Sequence, residues 1–388
     1  MNKEQNKQNE QEYSLLYKDA GVDTLAGQSL IQSIIPFVRK TYTKNVISDL
    51  GGFSAIYDLS FLKSMNEPVL LTSTDGVGTK LTYASYFKRF DTIGYDLVAM
   101  CANDILVSGG KPEIFLDYIA VGKLKVKEMS IVIRSIAAAC KMIDCSLTGG
   151  ETAEHPIVMK EEDFDLAGFM IGFCEKKDLI TGEDIQENDV IVGIPSSGVH
   201  SNGISLIRKL FYDPASEKNE AINKDIFLFL KESILLQPTV LYDVILREFI
   251  QQKIIKGMVH ITGGGYQENI PRILKENYYT ELSIWELQSP FKEIANMGNL
   301  DFKEMTKVFN CGYGMLVILD KQYVDMFIKK ISEKLAFYKE KYISIQREFF
   351  QEFPEWEKDW KLPHLSLKAE ILGTIKKDSR YNKKVVFI

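Results

Sequence analysis

The stretch LLTSTDGVGTKLTYA, residues 70–84, sets Asp75, Gly76, Gly78, Thr79 and Lys80 directly behind an apolar, β-branched run. That pattern predicts a strand, a tight turn and a helix, a geometry that can aim backbone N–H groups and a helix N-terminus at an anion such as phosphate. DGVGTK lacks the spacing of a P-loop, and no later glycine completes a dinucleotide fingerprint. Five further glycine-rich stretches, GGFSAIYDLS, LTGGETAEHP, PSSGVHSNG, ITGGGYQEN and NCGYGM, are also predicted to be turns. A single glycine turn is structural by default. Here acids or amides stand close to several: Asp75, Glu151, Asn202, Glu268 and Asn269. Asp104 follows Asn103 in DTIGYDLVAMCANDILVSG, which reads as a buried helix, and a carboxylate there needs a partner because burying it alone is costly. Carboxylates holding Mg²⁺ against phosphate oxygens would meet both demands.

His200 is one of only four histidines. In SSGVHSNGISLIRKL it precedes a predicted helix that Ser201 or Asn202 can cap, which sets the imidazole beside backbone donors. A general base, an anion contact and a purely structural role are all compatible with that stretch. His155, His260 and His364 read as structural or surface residues.

The elements that must position these groups need more than one core. A chain of 388 residues, 45% hydrophobic and 26% charged, is ordinary for a globular protein and suggests two domains. A net charge of -6 removes the electrostatic footprint of a nucleic-acid binder, and the apolar runs are too short and interrupted for a membrane span. The first twelve residues are polar and predicted to be a disordered tail. Five cysteines, without a CxxC pair or zinc-ligand spacing, fit a reduced, cytoplasmic setting.

AGQSLIQSIIPFVRKTY reads as a helix broken near Pro36, PVLLTST, EIFLDYIAVG and FDLAGFMIGFCEK as strands. The polar, turn-rich KKDLITGEDIQENDV marks a boundary near residue 175, dividing the chain into 13–174 and 175–388. The second half repeats the strand, glycine turn and helix grammar, so the class is α/β or α+β. Between about 335 and 365 the chain turns aromatic and charged, and Tyr338, Tyr342, Ile345 and Phe349 are spaced for an amphipathic helix ending before Pro354.

YKDAGVD at Tyr17, STDGVGTKL at Ser73, DTIGYDLVAMCANDI at Asp91, FLDYIAVGKL at Phe115, LTGGETAEHP at Leu147, FDLAGF at Phe164, SSGVHSNG at Ser196 and HITGGGYQENIPR at His260 occur in one order. In that order they resemble the AIR synthetase (phosphoribosylformylglycinamidine cyclo-ligase) family, over roughly residues 13–330 and again at ILGTI. The resemblance implies a two-domain α/β fold, a homodimer whose N-domain strands form a shared barrel, and ATP-dependent conversion of formylglycinamidine ribonucleotide (FGAM) to 5-aminoimidazole ribonucleotide (AIR). It also implies an ATP and Mg²⁺ site built without a P-loop. Asp75 and Asp104 are then metal–nucleotide ligands, with Gly76, Gly78, Thr79, Lys80 and Asn103 beside them. Lys18 becomes an ATP contact and His200 a catalytic residue, with Lys18 and Asp104 sharing that work. Gly51, Gly52 and Ser54 supply a phosphate-binding loop, Glu151 lines the nucleotide site, and Ser201 and Asn202 line the substrate site.

The chain departs from the family pattern in EHPIVMK, in Gln237 where threonine is usual, in Cys311 and Tyr313, and in the aromatic segment, which reads as an insertion. None of these removes an implied ligand. A catalytically silent homologue is the rival reading, and the joint presence of Lys18, Asp75, Asp104 and His200 argues against it.

Overall fold

The computed structural model describes residues 23–211, 235–351, 365–366, 368–378 and 383–388. The predicted tail, Lys18, His364 and the later part of the aromatic segment lie outside the described residues.

Four strands, β1 (Pro68–Gly76), β2 (Lys111–Val121), β3 (Ser146–Glu154) and β4 (Phe164–Glu175), form a sheet in the order β1-β4-β2-β3. Pairing is antiparallel except between β2 and β3. In β1 the side chains of Leu70, Thr72 and Thr74 are exposed while their neighbours are half-buried, the period-two pattern of a strand with one covered face. The helices of this half are α1 (Thr24–Arg39), α2 (Lys80–Phe87), α3 (Ile93–Val107) and α4 (Val126–Met142). α4 is the crossover that two parallel strands require. α3 packs on β1, β4 and β2, and apart from Asp104 its side chains are buried or nearly so.

The second sheet takes β5 (Val190–Pro195), β6 (Ile255–His260), β7 (Tyr278–Leu282), β8 (Tyr313–Leu319), β9 (Glu370–Lys377) and β10 (Val385–Phe387), in the order β10-β7-β9-β5-β8-β6. Only β10 and β7 are parallel. β5 is buried along its whole length, as its unbroken apolar run requires. Around this sheet lie α5 (Ile204–Leu210), α6 (Asp243–Gln251), α7 (Gly265–Asn269), α8 (Phe291–Gly298), α9 (Phe302–Val308) and α10 (Val324–Phe350). The whole is a mixed α/β fold built on two sheets. Among the described residues no helix is long and apolar enough to cross a membrane.

Two local expectations are corrected. α1 runs through Pro36 unbroken: the proline stands in the last turn, where its missing N–H forfeits one hydrogen bond, and burial of Leu30, Phe37 and Val38 holds the helix. LTGGETAEHP is largely strand β3 rather than a turn. The amphipathic helix is present, and Tyr338, Tyr342, Ile345 and Phe349 are all buried as their spacing predicts. They tie α10 to the first half of the chain, Phe349 against Phe37 with ring centres 5.8 Å apart and Tyr342 against Tyr95 at 5.1 Å.

Candidate functional site

The strand, turn and helix at residues 70–84 form as the sequence predicts. β1 ends at Gly76, α2 begins at Lys80, and Gly78 sits at φ +68°, a conformation a side chain would disfavour. The turn faces the second half of the chain, with Thr79 Oγ1 2.8 Å from Ser205 Oγ on α5. Lys80 departs from the phosphate-contact expectation. Its side chain is fully buried, its Nζ lies 2.9 and 2.7 Å from the two Asp96 oxygens, and it donates to the Gln237 carbonyl at 2.7 Å. Burial pulls the Lys80 pKa down while Asp96 works the other way. Asp96 also accepts from the Thr239 N–H and hydroxyl, so the lysine pins the turn to the 237–239 segment instead of reaching outward.

Asp96 and Asn103 are seven residues apart on α3 and therefore share a face. Asn103 donates to the Val240 carbonyl at 2.9 Å and accepts from the Tyr242 N–H at 3.0 Å, continuing the same seam between the halves. Asp104, with its side chain 48% exposed, stands 3.0 Å from Nδ1 of the buried His260, at the end of β6. Asp75 is half-buried at the end of β1, with Oδ1 accepting from the Gly76 N–H at 2.7 Å. Burial pushes the Asp75 carboxyl up, the Gly76 bond opposes it, and the charge of Asp104 adds to the rise. Asp75, Asp104 and His260 thus gather at one place. His260 is the residue that reading the sequence missed; the available signal was its place between an apolar strand and a triple glycine.

Among the described residues no group of three or more His, Cys, Asp or Glu side chains could hold a metal ion. Two carboxylates suit magnesium bound to a nucleotide, because that ion keeps waters and takes phosphate oxygens for its remaining positions. The donors present fit that ion and would not make an all-protein cage.

His200 is 1% exposed and sits at φ +60°. Its Nε2 accepts from the Ser197 N–H at 3.3 Å, its ring meets Tyr242 edge to face, and Nδ1 has no hydrogen-bond partner among the described residues. Burial pushes its pKa well down, so the ring is neutral. Gly314 makes room for it, since a Cβ there would collide with His200 and with the Tyr242 hydroxyl. The expected helix cap is absent: α5 starts behind Gly203, at φ +77°, with no side-chain cap. Ser201 lies 3.4 Å from the Thr239 hydroxyl, and Asn202 Nδ2 is buried without a partner among the described residues.

The remaining candidates stand elsewhere. Gly51, Gly52, Ser54 and Glu151 line a cleft of about 540 Å³ whose wall also includes Asp117 and Thr148. The register sets Asp75 beside Gly168, Gly168 beside Asp117 and Asp117 beside Gly150, so the two groups occupy opposite edges of one sheet, about 14 Å apart at a strand spacing of ~4.8 Å. Asp117 is 8% exposed, and burial pushes its carboxyl up to about 7.

A two-sheet α/β chain with paired carboxylates at the seam of its halves can now be set beside known proteins. Residues 55–174 match the family model described as AIR synthase related protein, N-terminal domain, and residues 186–338 match the C-terminal domain model. The chain belongs to the AIR synthase-related family. The phosphoribosylformylglycinamidine cyclo-ligase of Thermoanaerobacter pseudethanolicus is 46% identical over 321 residues, which cover 81% of this chain and 93% of the relative. That of Leptospira interrogans is 47% identical over 324 residues, 83% of this chain and 93% of the relative. Among solved structures, E. coli HypE aligns with a TM-score of 0.59 at 15% identity, covering 93% of each chain. Thiamine-monophosphate kinase from Stenotrophomonas maltophilia aligns at 0.57 and 13%, covering 92% of this chain and 95% of that one. Both show the fold alone.

Proposed function

We propose that the chain converts FGAM to AIR in purine biosynthesis, closing the imidazole ring while ATP becomes ADP and phosphate. Family membership supports the reaction, and the meeting of Asp75 and Asp104 at the seam carries the reading of the site. A formyl-amide oxygen is a poor leaving group. Its attack on the γ-phosphorus breaks the bond to ADP and leaves an iminophosphate. The ribose-bearing amidine nitrogen then attacks the formyl carbon, the C–O bond breaks, phosphate departs with the oxygen, and the nitrogen gives up its proton.

The work left to the protein is positioning and charge neutralisation. Magnesium held by Asp75 and Asp104 would supply positive charge to the transferring group. Thr79, Gly76 and Gly78 set the shape of the adjoining turn. Lys18 is assigned as an ATP contact through its motif, while Gly51, Gly52, Ser54 and Glu151 form the nucleotide's second contact region. We give His200 a bracing role rather than that of a general base, because Nε2, the lone-pair nitrogen of its neutral ring, already accepts from the Ser197 N–H; it supports the loop that presents Ser201 and Asn202 to the substrate.

A homodimer in a cytoplasmic setting completes the reading. β1 and β3 are sheet edges, and Leu70, Phe169 and Tyr118 expose apolar surface on the four-stranded sheet, so a second copy would cover both. Light scattering at low micromolar concentration is expected to give about twice the chain mass, and an active monomer would overturn the shared barrel. The reaction itself is tested by following ADP and the aminoimidazole together, with each substrate omitted in turn. Both products are expected only when FGAM, ATP and Mg²⁺ are all present; ADP release that ignores FGAM, with no aminoimidazole formed, contradicts the proposal.

A further inference from the structure

The bonds around Asn103 settle which nitrogen of His260 carries the proton. The Tyr242 N–H points at Asn103 Oδ1 at 3.0 Å, which fixes that atom as the carbonyl oxygen, and Nδ2 donates to the Val240 carbonyl at 2.9 Å. The same Nδ2 stands 3.4 Å from His260 Nε2. An amide nitrogen can only donate, so Nε2 faces it as an acceptor and the ring proton belongs on Nδ1. Nδ1–H then donates to Asp104 Oδ1 at 3.0 Å. The ring is 5% exposed, while the Asp104 side chain it holds is 48% exposed and keeps an open side.

The chain Tyr242 N–H, Asn103, His260, Asp104 crosses the seam three times. Asn103 and Asp104 come from α3 of the first half, while Tyr242 and His260 come from the second. We infer that His260 is a positioning residue for the cation site: it holds one oxygen of the Asp104 carboxylate and leaves the other for the ion. Hydrogen bonds of this kind behind a metal ligand fix its orientation, and their loss typically weakens metal affinity by about 10–100-fold. The cation site is therefore complete only while the halves are packed together. This inference rests on the reading of Asp104 as a metal ligand, and its test separates the two.

The probe is a non-hydrolysable ATP analogue, its affinity for the full-length protein measured by calorimetry with and without Mn²⁺; the ratio is the metal-dependent gain. His260→Leu is expected to cut that gain about tenfold or more while the metal-free affinity stays within about threefold. His260→Asn, whose amide N–H stands near the place of Nδ1–H, is expected to keep most of it. His260→Gln retains size and polarity but carries its donor toward the Nε2 position, so it should fall with the leucine variant and serves if that variant does not fold. Asp104→Asn is the control. If it keeps the full gain, Asp104 is no metal ligand and the reading beneath the inference fails. If Asp104→Asn loses the gain while His260→Leu and His260→Gln keep theirs, or if His260→Asn falls with them, the positioning role is overturned.

Discussion

The two edges of the first sheet hold the two sets of candidate residues in opposite conditions. At the β1 edge most of the polar groups are answered from across the seam: Lys80 by the Gln237 carbonyl in addition to Asp96 of its own half, Asn103 by Val240 and Tyr242, Asp104 by His260. At the β3 edge Asp117 is buried with its carboxyl pushed up to about 7, Thr148 Oγ1 has no partner among the described residues, and the Gly51–Ser54 loop stands exposed above them. The first edge is preorganised, because its polar groups already hold their geometry. The second keeps polar groups in waiting, the usual state of a wall that a ligand completes.

The sharpest way to break this contrast is Lys80→Ala. If the lysine pins the seam, removing it strands the Asp96 charge in the interior and costs about 3–5 kcal/mol of stability, read from denaturant unfolding. A lysine that served the phosphates instead would leave stability nearly intact and raise the KM for ATP.

Next in size is Asp117→Asn. Its folded pKa lies near 7, above the ordinary carboxylate value, so its contribution to stability is full below about pH 4 and is lost as pH rises toward 7. The asparagine resembles the protonated form and escapes that loss. The variant is expected to match the parent near pH 4 and to exceed it at pH 8, by at most on the order of 4 kcal/mol. A constant difference across that range would mean that Asp117 does not titrate there. The smallest effect is expected from Phe53→Ser, on a fully exposed side chain: stability within about 0.5 kcal/mol of the parent and a modestly raised KM for ATP. A drop in melting temperature would show that the loop is packed in solution.

The sequence made the β1 edge partly readable. Alternation and Gly78 were enough to set the strand, turn and helix of residues 70–84, and the apolar run of α3 marked Asp104 as an acid needing a partner. The partner itself was beyond reach, because His260 lies far along the chain and local pattern carries no information about such a pairing. Depth was equally hidden: Lys80 follows a glycine turn just as a phosphate lysine would, and only the fold shows that it points inward to Asp96. For His200, rarity and a following helix left a general base, an anion contact and a structural role all open, and only the fold shows that the glycines at 203 and 314 let the loop tuck the ring under itself. The spacing within α10 was legible because one helix face repeats locally, yet nothing in it announced the contacts with Phe37 and Tyr95.

The central claim is that phosphoryl transfer takes place at the Asp75–Asp104 seam. It is tested most directly by FGAM-dependent ADP release from Asp75→Asn at saturating ATP and Mg²⁺, with circular dichroism recorded on the same sample. The account predicts a loss of roughly a hundredfold or more, the scale of a missing electrostatic group at a reacting centre, with an unchanged spectrum. Near-normal turnover by the folded variant would contradict it.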